Sequence, residues 1–247
     1  LNPSSGGGAL FLELAPASAA INDSNTELIL AYQSIKDDIE GLITELKHHA
    51  ASNSKEHYLT LRAADRTGTL EHMSSTQRAA RLIYMLRVNF NGLYRVNSKN
   101  QFNVPYGKYV NPTILDEENL RRISTYLNTN DVTIVNGDFQ EAVHTAKAND
   151  FIYFDPPYIP LSVTESFTSY TSAGFGLDEQ LRLRDVFIDL SERGVKVLLS
   201  NSSADLVYDL YAPYATSIRE VEATRLVNSK ASRRGPVKEV LIKNYGK

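Results

Sequence analysis

At 247 residues the chain is long enough for one large α/β domain, or for a core of about 150 residues carrying a smaller insertion. Hydrophobic residues make up 42% and charged residues 22%, which excludes a disordered chain, and no apolar run approaches the roughly 18 residues needed to span a bilayer. Cysteine is absent, which removes disulfides, thiolate metal sites and cysteine nucleophiles together, and with no basic, apolar leader the expected location is the cytoplasm.

The sequence opens directly on Leu1-Asn2-Pro3-Ser4-Ser5-Gly6-Gly7-Gly8, with no helix or strand before the glycines, so a further segment is expected upstream. Ala9 to Leu14 reads as a short helix and Ala19 to Asp23 as a short buried strand ending in a carboxylate. From Thr26 the apolar residues Leu28, Ile29, Tyr32, Ile35, Ile39, Leu42, Ile43 and Leu46 recur at helical spacing. They give one long helix, or two joined near Asp37-Asp38.

Ser54 to Arg62 is a short helix, and Ser74 or Ser75 can cap another that stops near Asn91-Gly92. Leu93 to Asn97 and Gln101 to Pro105 are extended runs around the polar turn Ser98-Lys99-Asn100, which predicts a hairpin. Asp116 caps a helix to about Leu127. From Asp131 the pattern becomes strand and helix in alternation: Val132 to Val135, Phe151 to Phe154 and Val195 to Leu199 are strands, and Asp178 to Arg193 is a capped helix ended by Gly194. Ser217 to Ala223 and Val237 to Tyr245 can pair as an antiparallel edge. The alternation predicts a mainly parallel sheet with helices on both faces, built from residues 1–50 and 131–247, with residues 51–130 inserted as a helical subdomain.

The five histidines, His48, His49, His57, His72 and His144, lack the spacing of a zinc-binding helix, so no metal is expected. The net charge of −3 argues against a nucleic-acid partner, but its distribution argues for one. Between Met73 and Leu115 there is no acid, while Arg78, Arg81, Arg87, Arg95, Lys99 and Lys108 are present. Arg225, Lys230, Arg233, Arg234 and Lys238 form a second acid-free stretch. Two solvated loops would account for the same charges.

Asp155-Pro156-Pro157-Tyr158 follows directly on the strand Phe151 to Phe154, at the strand end where open α/β sheets hold ligands. The Asp155 carboxylate and the Pro156 carbonyl are two acceptors suited to the two hydrogens of an exocyclic amine. The prolines, Pro157 among them, stiffen the turn, and Tyr158 offers a ring face to a base. The glycines, Gly6 and Gly8 among them, let backbone approach a cofactor, and Asp23 stands where such folds bind a ribose hydroxyl pair. Asp138 can accept from a purine amine with Phe139 flanking the ring. Each of these acids could equally be a helix cap or a turn residue.

The order of glycine loop, Asp23, Asn91-Gly92-Leu93-Tyr94-Arg95, Phe102-Asn103-Val104-Pro105-Tyr106-Gly107 and Asp155-Pro156-Pro157-Tyr158 resembles the Dam-type DNA adenine methyltransferases over essentially the whole chain. Among them it is most similar to the Dpn-type modification methylases that act on GATC. The resemblance implies a Rossmann-like S-adenosylmethionine-dependent methyltransferase core and an inserted helical target-recognition subdomain carrying a β-hairpin at about residues 93–105. It implies that Pro3, Gly6, Gly8, Asp23, Asp138, Phe139 and Asp155 hold S-adenosylmethionine. By the same resemblance Asn91, Leu93, Arg95, Asn97 and Pro105 fall at the family's DNA-contacting hairpin positions, with Lys108 at a phosphate-contacting one. The expected partner is double-stranded DNA, with a cognate restriction endonuclease acting separately.

The family's upstream aromatic-Gly-Gly-Lys element is not in this sequence, and Asn2, Ser4 and Ser24 replace its usual residues. These departures leave a DNA-binding protein with impaired catalysis as one alternative, and methylation of the cytosine 4-amino group, a similar amine met by a similar tetrapeptide, is the other. Either amine must be flipped out of the duplex to be reached.

Overall fold

The computed structural model describes residues 8–161, 175–224 and 236–246. The chain divides into two compact units, Gly8–Ala142 and Val143–Lys247.

In the first unit, α1 (Gly8–Leu14) and β1 (Ser18–Asp23) are followed by α2 (Thr26–Asp37) and α3 (Ile39–Ala51). Of the two readings of that long apolar periodicity, the chain adopts the broken one. Asp38 leaves helical geometry at φ −144°, and its carboxylate accepts from Gly41 N at 3.1 Å, capping the second helix. After α4 (Lys55–Ala63), α5 (Ser75–Val88) starts at a reciprocal capping box: Gln77 N donates to Ser74 Oγ at 3.2 Å and Ser74 N to Gln77 Oε1 at 3.1 Å. Next come α6 (Glu117–Thr129), capped by Asp116, and β2 (Asp131–Asn136).

β1 and β2 pair in parallel from Ser18↔Asp131 to Asp23↔Asn136, so both strands end at one edge. The core lies among α2 to α6. Ala31, Ile35, Leu42, Leu46, Tyr58, Leu82, Met85 and Leu127 are buried there, on the helix faces that the apolar spacing marks. Beside it, His49 Nδ1 lies 3.1 Å from His57 Nε2, with Tyr84 against both rings. Burial pushes the His49 imidazole down to about 4, and the neighbouring His57 and His48 add to the shift.

The hairpin is looser than its sequence suggests. Its arms meet in two isolated antiparallel bridges, Val96↔Phe102 and Asn89↔Tyr106, rather than in a continuous ladder. Asn91 and Gly92 both take left-handed backbone, at φ 60° and 64°, which kinks the outgoing arm. The return arm divides its backbone groups: Gln101 O, Asn103 N and Pro105 O bond the outgoing arm at 2.9 to 3.0 Å, whereas those of Phe102 and Val104 turn to α4 and the residues just after it. The Tyr58 hydroxyl and Arg62 donate to Val104 O at 2.7 and 3.0 Å, Arg66 donates to Phe102 O at 2.7 Å, and Phe102 N donates to Asp65 Oδ2 at 2.7 Å.

After the short α7 (Phe139–Val143), the second unit holds β3 (Phe151–Phe154), α8 (Leu177–Glu192), β4 (Lys196–Ser202), α9 (Asp205–Leu210), β5 (Ile218–Thr224) and β6 (Pro236–Lys243). Its sheet runs β3-β4-β6-β5, with β3 and β4 parallel and β6 antiparallel to both β4 and β5. The described strands thus form two hydrogen-bonded sheets where the alternation suggested one, because alternation sets strand direction but not which strands bond. α8 ends as expected at left-handed Gly194, φ 76°. Its start differs: Gly176 precedes the helix without a side-chain cap, and Asp178 sits in the first turn, where it complements the helix dipole.

Candidate active site

The ends of β1 and β2 bring Asp23 and Asp138 to one edge of the first unit. The two strand ends are tied together: Asn136 Nδ2 donates to Asp23 O at 2.8 Å, Gly137 N to Asp23 O at 3.3 Å, and Asn22 Nδ2 to Gly137 O at 3.1 Å. Asp23 Oδ1 accepts from Asn25 N at 2.7 Å and Asp138 Oδ1 from Gln140 N at 2.9 Å. Both acids therefore do fix local turns, as their bland reading requires, and those same bonds orient each carboxylate at the strand end. Asn22 Oδ1 is buried at this edge without a hydrogen-bond partner in the structure. The edge is rich in acceptors, which suits the hydroxyls of a ribose and the amine of a purine.

Gly8 has a packing reason for lacking a side chain, since a Cβ there would overlap the Tyr32 hydroxyl. Burial, reinforced by Asp23, pushes the Tyr32 phenol up to about 12. Pro3 and Gly6 lie outside the described residues.

The hairpin candidates divide into exposed and structural ones. Arg95, Pro105 and Lys108 are exposed. Arg95 Nε donates to Asn103 Oδ1 at 2.7 Å, which extends the guanidinium along the hairpin. Leu93 is half-buried and packs against the helical core. Asn97 holds the turn: its Oδ1 accepts from Lys99 N and Gln101 N at 3.0 Å each, and its Nδ2 donates to Gln101 Oε1 at 3.0 Å. Asn91 donates its backbone N–H to the Tyr109 hydroxyl at 2.9 Å.

The basic stretch that suggested a positive surface is partly internal. Arg81 is buried, bonds Leu61 O at 2.7 Å through Nε, and lies 3.6 Å from Asp65 and 4.0 Å from Glu27. Arg78 Nε donates to Glu27 Oε1 at 3.0 Å. In the second stretch Lys238 pairs with Glu220 at 2.6 Å, while Arg225, Lys230, Arg233 and Arg234 lie outside the described residues. Among the described residues, no group of three or more His, Asp or Glu side chains gathers to hold a metal.

In the second unit, the tetrapeptide and the residue after it are held by side chains of α8 and β4. Pro157 O accepts from Gln180 Nε2 at 2.8 Å, Ile159 N donates to Asn201 Oδ1 at 2.9 Å, and Ile159 O accepts from Ser202 Oγ. None of these bonds uses the Pro156 carbonyl. The Asp155 carboxylate is exposed and accepts from Ser200 Oγ at 2.8 Å, and Ser200 in turn accepts from the Tyr153 hydroxyl at 3.1 Å. Tyr158 is half-buried, and its hydroxyl donates to Glu239 Oε2 at 3.3 Å. Burial pushes the Tyr158 phenol up, the bond with Ser200 works against that shift, and Asp155 and Glu239 add to it.

Reading the sequence alone missed Ser200, Gln180, Asn201, Ser202 and Glu239. One signal was there: the polar run Ser200-Asn201-Ser202 ends a buried strand, where unpaired polar groups would be costly.

Residues 2–227 match the family model described as D12 class N6 adenine-specific DNA methyltransferase. The chain is 56% identical over 244 residues to a Type II methyltransferase, M1.LlaDCHI, of Lactococcus lactis subsp. cremoris, covering 99% of this chain and 85% of that protein. It is 39% identical over 258 residues to the Type II methyltransferase M.MjaIII of Methanocaldococcus jannaschii, covering 99% and 88%. It is 33% identical over 244 residues to a DNA adenine methylase of Vibrio cholerae, covering 98% and 85%.

Proposed function

The chain belongs to the D12 class of N6 adenine-specific DNA methyltransferases, and from that premise we propose that it methylates adenine within GATC as the modification half of a restriction system. Class membership selects the adenine 6-amino group over the cytosine 4-amino group, and an enzyme over a binding protein. The methyl donor is S-adenosylmethionine, whose sulfonium supplies an activated methyl group when bound.

The observation that carries the residue assignment is the construction after β3. Three bonds fix the loop while the Asp155 carboxylate remains exposed beside a Pro156 carbonyl that those bonds leave alone. In our reading these two acceptors take the two hydrogens of a flipped adenine amine, which turns the nitrogen lone pair towards the methyl. Tyr158 stacks on the base, with its ring held by Glu239 at the hydroxyl, and Pro157 stiffens the turn. Because the donor carries positive charge, orientation and electrostatics suffice without a covalent intermediate.

Asp23 binds the ribose hydroxyls, Asp138 accepts from the cofactor's purine amine and Phe139 flanks its ring, with Asn22 Oδ1 as a further acceptor. Residues 51–130 act as the target-recognition subdomain on a Rossmann-like core. There Arg95 pairs with a guanine edge, Leu93 and Pro105 meet a thymine methyl, and Lys108 contacts phosphate. Asn91 and Asn97 contribute by holding the hairpin in shape. The name of the Lactococcus relative, a Type II methyltransferase, supports the restriction-system reading and a separately acting nuclease. The test is transfer of labelled methyl to GATC duplexes and to duplexes with one base pair of the site changed, with analysis of the product base. N6-methyladenine in GATC alone is the expected result, and equal labelling of both substrates would refute the site.

A further inference from the structure

We propose that Ser200 is a positioning residue for Asp155, acting with the Tyr153 hydroxyl as a two-step relay; this rests on the reading of Asp155 as the acceptor of the adenine amine. The register brings the groups together. β3 and β4 pair in parallel through Phe154↔Leu199, so Asp155, just past the end of β3, stands beside Ser200, which is still within β4 and pairs with Leu241 of β6. Ser200 is buried at 3% exposure, whereas Asp155 is exposed, so the bond between them runs from a fixed group to a freer one.

A serine hydroxyl has one hydrogen and two lone pairs. The Tyr153 hydroxyl donates to Ser200 Oγ at 3.1 Å, which occupies a lone pair and leaves the Ser200 hydrogen for Asp155 Oδ1 at 2.8 Å. A second acceptor, Phe154 O, lies at 3.4 Å and competes weakly. The other ionisable groups facing this cluster are Tyr158 from the loop, whose hydroxyl is within reach of both Ser200 and Glu239, and Glu239 from β6. A carboxylate only accepts, so the one Ser200 hydrogen goes to Asp155 and the Tyr153 hydroxyl donates to Ser200; burial raises the Tyr153 phenol, which keeps that proton in place.

The consequence is an oriented carboxylate. The terminal torsion of an aspartate is broad and roughly two-fold, so an exposed Asp155 without an anchor would rotate. With Oδ1 tied to Ser200, Oδ2 is the oxygen presented to the amine. Loss of that anchor lowers the fraction of encounters in productive geometry and leaves the binding of either substrate intact.

The test measures single-turnover methylation of a GATC duplex at saturating cofactor, together with the affinities for cofactor and duplex. Ser200→Ala should slow the chemical step about tenfold, change both affinities less than about twofold, and be restored to within about threefold by Ser200→Thr, which keeps the hydroxyl. Tyr153→Phe, which leaves Ser200 in place, should slow it about threefold and serves if the serine variant folds poorly. Labelled methyl read over hours also follows the pair Asp155→Ala and Ser200→Ala/Asp155→Ala. A residue that acts through Asp155 has no further effect once Asp155 is gone, so the two rates should coincide. Equal slowing by Ser200→Ala with and without Asp155, or failure of threonine to rescue, would show a structural role and overturn the inference. A near wild-type rate for Asp155→Ala alone would instead remove the reading on which it rests.

Discussion

Replacing Asp155 with alanine should separate catalysis from folding, because the structure places this carboxylate where its loss costs the fold little. The side chain is exposed, and among the described residues its carboxylate accepts one hydrogen bond, the 2.8 Å contact from Ser200. On its removal Ser200 can turn to Phe154 O at 3.4 Å and still accept from Tyr153, so no hydroxyl is stranded. Loss of one solvent-screened bond should change stability by about 1 kcal/mol or less. The chemical step is different. The adenine amine is a poor nucleophile because its lone pair is delocalised into the ring, and Asp155 interacts more strongly with it as positive charge builds on nitrogen. Asp155→Ala should lose at least a hundredfold in single-turnover rate, about 2.7 kcal/mol or more, while duplex affinity stays near the wild-type value. Asp155→Asn, which keeps an acceptor without its charge, should fall between. The assay is methyl transfer to a short GATC duplex at saturating S-adenosylmethionine, with chemical denaturation followed by circular dichroism because the chain has no tryptophan. Near wild-type rates for Asp155→Ala would mean that the tetrapeptide is only a turn.

Asp23→Ala should weaken S-adenosylmethionine binding more than tenfold, about 1.4 kcal/mol by calorimetry, and an unchanged dissociation constant would refute the ribose assignment. Arg95→Ala should cost about 1–3 kcal/mol on the cognate duplex and relax selectivity at one base pair, whereas Lys108→Ala should weaken all sequences alike; competition with singly substituted duplexes separates the two. Arg81→Met should destabilise the first unit by about 2 kcal/mol. It removes a buried bond to Leu61 O and a cation near Asp65 and Glu27, yet those acids keep Arg66 and Arg78; an unchanged urea midpoint would show the cluster to be neutral. His49, held down at about 4 in the fold against an ordinary 6.5, binds its proton more readily when unfolded. Its contribution is therefore complete above the ordinary value and is lost as pH falls through about 4. His49→Leu should flatten the stability profile across that window, and an unaltered slope would exclude the residue as its source.

Much of the local structure was legible because its signals are short-range. The Ser74 capping box closes within four residues, Gly194 supplies its own left-handed turn, and the apolar spacing of α2, α3 and α5 matches the faces they bury. The tetrapeptide stood out for the same reason, since a carboxylate, two prolines and a tyrosine directly after a strand are a local signal, and its place at the end of β3 is where the sequence put it. The order of motifs then sufficed to identify the methyltransferase class.

The tertiary structure decided what depends on residues distant in sequence. The run from Met73 to Leu115 is acid-free, yet Glu27 and Asp65 reach Arg78 and Arg81 from outside it, so a local count of charges overstated the free positive surface. The hairpin arms have strand-like sequences, but side chains of α4 and of the residues just after it take the backbone groups of Phe102 and Val104, and a sequence pattern does not record which partner wins a hydrogen bond. The support of Asp155 by Ser200 arises from the parallel register of two strands more than forty residues apart. Sequence determined which groups could do the chemistry, through local propensity and side-chain type. Which of them are oriented, paired or exposed was settled only when folding brought distant donors and acceptors into contact.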